Sequence, residues 1–344
     1  MSYDVTIGIP VYNVGAYIRR AMESVLAQTY DNIEFLVLDD CGTDDSIPIV
    51  KEYQQTHPRG KDIHIVRQPY NKGLGEARNR IISVAQGRYL YFMDGDDSIA
   101  PNTIELLYKA ADKFRAELVY GSYERVETHD GETVRIPCQY QSRKFLHKDD
   151  YAMWVYSKYD NVQAMIWNIL IDINIYRMNG LKHLPISYWE DFTFTMDLPT
   201  YVTRVVMLPD ITYYYYIREG SLSNFQKRSH IEKREIESTI GALRQVKLNS
   251  QRISRTKYFP LRMRKVMATC FYIVSSILHY EDIITPPFNN REIQAVMNSP
   301  LTLAYVLTFK LARLENVFLH LLGILPPSLS VKIMRFVAKK RHLV

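Results

Sequence analysis

Tyr91-Phe92-Met93-Asp94-Gly95-Asp96-Asp97 ends an apolar, β-prone run in three carboxylates. A buried strand that emerges into gathered acid at a sheet edge needs a cation there, because crowded, desolvated carboxylates destabilise one another. A hard divalent ion, Mg²⁺ or Mn²⁺, held by one or two acidic side chains and by substrate phosphates meets that need. The competing reading is an acidic turn whose Asp side chains cap the helix starting near Pro101.

Upstream of this stretch, Val5 to Ile9 reads as a buried strand. Asn13 is placed to cap a helix carrying Tyr17, Ile18, Ala21, Met22, Val25 and Leu26 at helical spacing. Ile33 to Leu38 is a second strand, followed by Asp39-Asp40-Cys41-Gly42, a helix through Val50 and Tyr53, and a third strand at Ile63 to Arg67. Asn71-Lys72-Gly73-Leu74-Gly75 turns into another helix, which delivers the Tyr89 to Met93 strand. Helix 102–115 and strand 118–123 follow. This rhythm predicts an α/β fold with a mostly parallel central sheet flanked by helices, which binds ligands beyond the carboxyl ends of its strands. The polar junctions after Ile9, Leu38 and Met93 all fall at those ends.

Residues 124–145 read as polar and turn-rich, and 149–156 and 161–171 as helical. A helical run follows Glu190-Asp191, and two β-like pieces span 204–207 and 211–217. Beyond Phe225 the rhythm gives way to basic amphipathic helices near 229–253 and 260–280. The expected organisation is one domain over 1–225, in two halves that divide after 123, then a helical region over 226–344.

Composition supports a folded protein: 47% of the 344 residues are hydrophobic and 23% charged. Net charge is +6, with Asp concentrated early and base late. Basic and aromatic residues are not interleaved in a stripe, so no nucleic acid partner is expected. Cys41, Cys138 and Cys270 cannot frame a set of disulfides, and the N-terminus runs directly into a strand, so a cytoplasmic location is expected. None of the nine histidines stands at structural-zinc spacing, and each reads as a surface or packing residue. Gly73-Leu74-Gly75-Glu76-Ala77-Arg78 lacks the third small residue of a dinucleotide fingerprint.

Six fragments in order carry a resemblance: Ile9-Pro10-Val11-Tyr12-Asn13, Asp39-Asp40, Asn71-Lys72-Gly73 with Ala77-Arg78-Asn79, Asp94-Gly95-Asp96-Asp97, Glu190-Asp191, and Arg218-Glu219-Gly220-Ser221-Leu222-Ser223. Over residues 3–225 the chain resembles the family 2 glycosyltransferases of the GT-A fold that build bacterial surface polysaccharides. The resemblance implies sugar transfer, with inversion, from a nucleotide diphosphate donor, usually a UDP-sugar, to an alcohol. It places Pro10, Tyr12, Asn13, Asp39 and Asp40 around base and ribose, where a carboxylate can accept a pyrimidine N–H and a tyrosine can stack. Asn71 and Gly73 fall on the phosphate side, and the Arg78 guanidinium is placed to compensate phosphate or the acidic floor of the site. Asp94 lies near ribose and metal, Asp96 ligates the metal, and Gly95 leaves room for the nucleotide. Asp191 is the implied base, with Glu190 beside it, and Arg218 with Ser221 closes over the diphosphate.

Two departures stand out. Asp-Asp-Cys-Gly replaces the common Asp-Asp-Gly-Ser, and Trp167-Asn168-Ile169-Leu170 carries isoleucine where relatives often have lysine. A non-catalytic nucleotide-sugar-binding protein and a sugar nucleotidyltransferase remain as alternatives. In the C-terminal region, Leu301 to Leu325 is apolar but interrupted by Lys310, Arg313, Glu315 and Asn316, which argues against a spanning helix. The expectation is a region that docks on the cytoplasmic membrane face, near a polyprenyl-diphosphate-linked saccharide acceptor, or that packs as a bundle or homodimer contact.

Overall fold

A computed structural model describes residues 2–129, 132–158, 165–184, 190–217, 229–341 and 343. Strands β1 (Tyr3–Val11), β2 (Ile33–Asp39), β3 (Ile63–Arg67) and β4 (Gly87–Phe92) alternate with helices α1 (Ile18–Leu26), α2 (Ser46–Thr56) and α3 (Leu74–Val84). β2 is buried along its whole length and β1 from Val5 onward, as expected of strands covered on both faces. All three pairings in the order β3-β2-β1-β4 are parallel.

The chain continues through β5 (Ser98–Ile99), α4 (Thr103–Phe114), β6 (Leu118–His129), β7 (Glu132–Cys138), β8 (Arg143–Phe145) and α5 (Asp150–Ser157). After these come β9 (Ile169–Asp172), α6 (Ile173–Asn179), α7 (Glu190–Asp197) and β10 (Val205–Tyr216). Among the described residues the main sheet runs β3-β2-β1-β4-β9-β6-β10-β5, with β7 on β6 and β8 on β10. It is mixed, which corrects the expectation of a mostly parallel sheet. β9 is antiparallel to both β4 and β6, while β10 runs parallel to β6 and antiparallel to β5 and β8.

Two local expectations fail for related reasons. The described part of 161–171 is extended rather than helical: Asn168 sits at φ 59°, and Ile169 to Ile171 are buried between β4 and β6. A short apolar run has no period to separate buried strand from helix. The polar stretch 124–145 is not turn-rich. β6 continues as a hairpin arm paired with β7 from Tyr123↔Cys138 onward, and β7 is exposed along nearly its whole length, Val134 and Ile136 included.

The core forms where β1, β2 and β4 meet α1 and α4, through Ile7, Phe35, Val37, Tyr91, Met22 and Leu107. Trp167 is buried there, stacked on Tyr213 at 4.4 Å and Tyr215 at 5.3 Å. Asn168, also fully buried, donates to the carbonyls of Gly121 and Ser122 and accepts from the Tyr91 and Thr212 hydroxyls. It ties β4, β6 and β10 to the start of β9.

The chain forms two compact units, one of Met1–Tyr151 with Gln163–Ser223, the other of Ala152–Val162 with Asn224–Val344. The second holds a short pairing of β11 (Ile231–Glu232) with β12 (Ile284–Thr285). Its helices are α8 (Lys233–Asn249), α9 (Phe259–His279), α10 (Asn290–Ala295), α11 (Leu303–Leu307), α12 (Arg313–Ile324) and α13 (Pro327–Lys340). α9 carries the burial, with α8, α12 and α13 packed on it. Buried Arg262 donates to the Ser250 and Tyr156 hydroxyls, and Arg264 to the carbonyls of Tyr156 and Ser157, which moors 152–158 to this unit. The apolar run 301–325 is broken by Ala312 at φ 47°, and buried Asn316 donates to the Pro260 carbonyl. No described helix is long and apolar enough to cross a membrane.

Candidate active site

The carboxyl ends of β1, β2 and β3 meet at one edge: the Asp40 amide donates to the Val11 carbonyl and the Gln68 amide to that of Asp39. Asn13 takes the left-handed region at φ 51°, and its side chain accepts from the Thr43 amide. It therefore fastens the loop after β1 to the loop after β2 and does not cap α1, which starts at Ile18. Gly42 permits that contact, since a Cβ there would lie 2.9 Å from the Asn13 amide and Oδ1. Cys41 takes the positive φ of this turn, and its Sγ donates to the Gln68 carbonyl. The Asp-Asp-Cys-Gly departure thus keeps a tight loop, with the strained residue and the close approach at separate positions.

Asp39 and Asp40 are both buried but face different partners. Asp39 accepts from the Cys41 amide and pairs with exposed Arg67 at 3.4 Å. Asp40 accepts from the amides of Lys72 and Gly73, at 2.9 and 3.0 Å, and from Gln68. Burial pushes the Asp40 carboxyl above its ordinary range, against the pull of those amides. Asp40 shapes the turn before α3, helped by Asn71, whose side chain accepts from the Gly73 amide, and by Gly73 at φ 83°. A crevice of about 200 Å³ opens beside Asp39, lined by Val11, Gly42, Asp44, Pro48 and Arg67. Pro10 lies next to the buried end of β1 at Val11, and Tyr12, just past that end, is half exposed.

The acidic loop after β4 divides its three carboxylates by role. Asp97 is buried and accepts from the Tyr213 hydroxyl at 2.6 Å and the Tyr216 amide at 2.9 Å, so it moors the loop to β10. Burial, with Asp96 and Asp94 nearby, pushes its carboxyl well above the ordinary range. Asp94 and Asp96 are partly accessible. A Cβ at Gly95 would lie 3.1 Å from the Val14 side chain and 3.5 Å from that of Ile18, so the glycine lets the loop pack closely on the protein.

One guanidinium joins this loop to the far side of the site. Arg78, on the second turn of α3 and 1% exposed, donates from Nη2 to Asp94 Oδ1 at 3.2 Å and from Nη1 to Asp191 Oδ1. Asp191 stands in the first turn of α7. The structure therefore unites Arg78, Asp94 and Asp191, which lie far apart in the chain. Glu190 opens α7, but its side chain, like Arg218 and Ser221, lies outside the described residues.

His183, read with the other histidines as a surface or packing residue, lies beside Asp191. It is buried against Phe194, which stacks on its ring at 4.8 Å, and Nδ1 lies 3.9 Å from Asp191 Oδ1. Neither ring nitrogen has a hydrogen-bond partner among the described residues. Burial, and then the Arg78 charge, hold the imidazole neutral, well below its ordinary pKa. Reciprocal bonds between the Asn79 side chain and the His183 backbone fix this segment on α3, and Gly75 admits the Leu184 carbonyl where a Cβ would clash. A lone histidine in an apolar stretch carries no spacing signal.

Among the described residues, no three His, Cys, Asp or Glu side chains are grouped as a closed metal cage. Asp94 and Asp96 suit the other mode, in which one or two carboxylates share an ion with substrate phosphates.

A mixed sheet flanked by helices, with an acidic crevice at its parallel strand ends, defines a GT-A-like architecture. The crystal structure of S. aureus TarS 1–349 shares it, with a TM-score of 0.68 at 15% identity over 98% of this chain and 91% of that one. Residues 6–171 match the profile of glycosyl transferase family 2. The matched residues belong to that family. The Streptococcus pneumoniae glycosyltransferase GlyG is 35% identical over 131 residues, 38% of this chain and 42% of GlyG, and GlyA of the same organism is 31% identical over 64% of this chain. The Escherichia coli glycosyltransferase YibD is 25% identical over 80% of both chains. The chain spans 42% of the length of GlyG and 31% of that of GlyA.

Proposed function

We propose that this chain transfers a sugar, with inversion, from a UDP-sugar to a hydroxyl of a lipid-linked saccharide in surface-polysaccharide synthesis. The observation that carries the reading is the Arg78 bridge between Asp94 on the donor side and Asp191 on the acceptor side. Support for the donor comes from the crevice beside Asp39 and from TarS 1–349, a chain of the same fold crystallised with UDP-GlcNAc (TM-score 0.59, 18% identity). Relatives named for succinoglycan and minor teichoic acid biosynthesis support the surface-polysaccharide setting.

In this mechanism the acceptor oxygen attacks the anomeric carbon while the bond to the diphosphate oxygen breaks, and UDP leaves with the electron pair. Asp191 takes the hydroxyl proton as the new glycosidic bond forms. Arg78 orients Asp191 and lies within reach of developing negative charge on the diphosphate side. Asp96 and Asp94 would hold Mg²⁺ or Mn²⁺, which when bound offsets diphosphate charge.

The test is UDP release from a panel of UDP-sugars, with and without Mn²⁺ or Mg²⁺, using membrane lipid extract as acceptor. Metal-dependent release from one donor that needs extract and collapses in Asp191→Asn supports the reading. Release that persists in Asp191→Asn overturns the assignment of the base.

A further inference from the structure

We infer that the outer faces of α12 and α13 dock this protein on an anionic bilayer surface. Among the described residues, eight of the sixteen large apolar side chains exposed to solvent fall after residue 300, so apolar surface is concentrated in one short stretch. Leu314 is 80% exposed and Phe336 62%. α12 buries Leu319 and Leu322 against the helical unit yet shows Leu314 and Phe318, one turn apart, to solvent. A helix that is apolar on both faces has one more face to cover than its own core provides.

Charge selects the occupant. From 301 to 344 the chain holds seven Lys and Arg against the single acid Glu315, a surplus of six that equals the whole chain's +6. Glu315 lies 3.8 Å from Arg264 within the unit. On α13, Lys332, Phe336, Lys339 and Lys340 share the exposed face while Val331, Met334 and Ala338 are buried opposite. Lys340 lies over the Phe336 ring, 5.6 Å from its centroid. Apolar side chains flanked by cations of one sign match the headgroup and acyl boundary of an anionic membrane. A second copy paired through this same face would set cation against cation, because a twofold contact uses one patch twice.

The test is co-sedimentation of the full chain with phosphatidylcholine vesicles, with and without phosphatidylglycerol, at low and raised salt. The chain is expected to pellet with the anionic vesicles and to be released as salt rises. Leu314→Ser with Phe318→Ser should lower partition at least tenfold. Lys339→Gln with Lys340→Gln should lower it about fivefold for each cation removed, with thermal melting unchanged in both variants. Equal partition to neutral vesicles, or none to anionic ones, overturns the inference. So does a dimer, seen by analytical ultracentrifugation, that the leucine and phenylalanine substitutions dissolve. None of these outcomes depends on sugar transfer.

Discussion

Asp191 and Arg78 make the sharpest demands at the scale of single residues. Asp191→Asn keeps the shape of the carboxylate but cannot accept the proton. Turnover should fall about 10²- to 10⁴-fold, with donor binding measured by calorimetry little changed. Arg78→Lys is expected to behave worse than its charge suggests, because one ammonium at the end of a flexible stem cannot hold two carboxylates in the fixed geometry of a guanidinium. The expected result is a joint loss in kcat and in donor affinity, read from steady-state kinetics across donor concentrations. His183 ties chemistry to stability. Its folded-state pKa is depressed, so below about pH 6.5 the unfolded chain binds a proton that the folded chain refuses, and stability falls with pH by up to about 1.4 kcal/mol per unit. His183→Phe should flatten the fall in melting temperature between pH 6.5 and 5. A parallel fall in the variant would show that other groups govern acid sensitivity. The acidic loop was visible in the sequence because three carboxylates after an apolar strand are improbable without a purpose. His183 was invisible because its role comes from Arg78 and Phe194, which approach only in the folded chain.

At the scale of elements, the first four strands and three helices were legible because strands buried on both faces are continuous apolar runs closed by polar junctions. The strands that make the sheet mixed were not. β9 is only Ile169–Asp172, too short for its alternation to register, and β7 is an exposed hairpin arm that no burial on both faces marks out. Asn168 shows what such a strand depends on. Asn168→Ala removes two donated and two accepted bonds at a buried site and puts alanine at φ 59°. A loss of about 2–4 kcal/mol is expected, measured by urea unfolding. Loss of under about 1 kcal/mol would mean that water or neighbouring hydroxyls replace the amide.

For the whole molecule, the change of rhythm near residue 225 marked where the α/β pattern stops, but the second unit also claims Ala152–Val162, which no composition shift announces. A chain ending at 224 lacks Arg262 and Arg264 and so leaves Tyr156 and Ser157 without their donors. Limited proteolysis of that truncation should cut within 152–158 at least tenfold faster than in the full chain. Equal rates would show that these arginines do not hold the segment.

The placement of β10 between β6 and β5 also imposes an order in time. During synthesis the β3-β2-β1-β4 layer can close as its residues leave the ribosome, but β6 and β5 must wait for Val205–Tyr216 to arrive and separate them. At about 5–20 residues per second that interval lasts seconds. Through it the nascent chain carries unpaired strand edges on β6 and β5, the kind of edge that invites pairing with another chain.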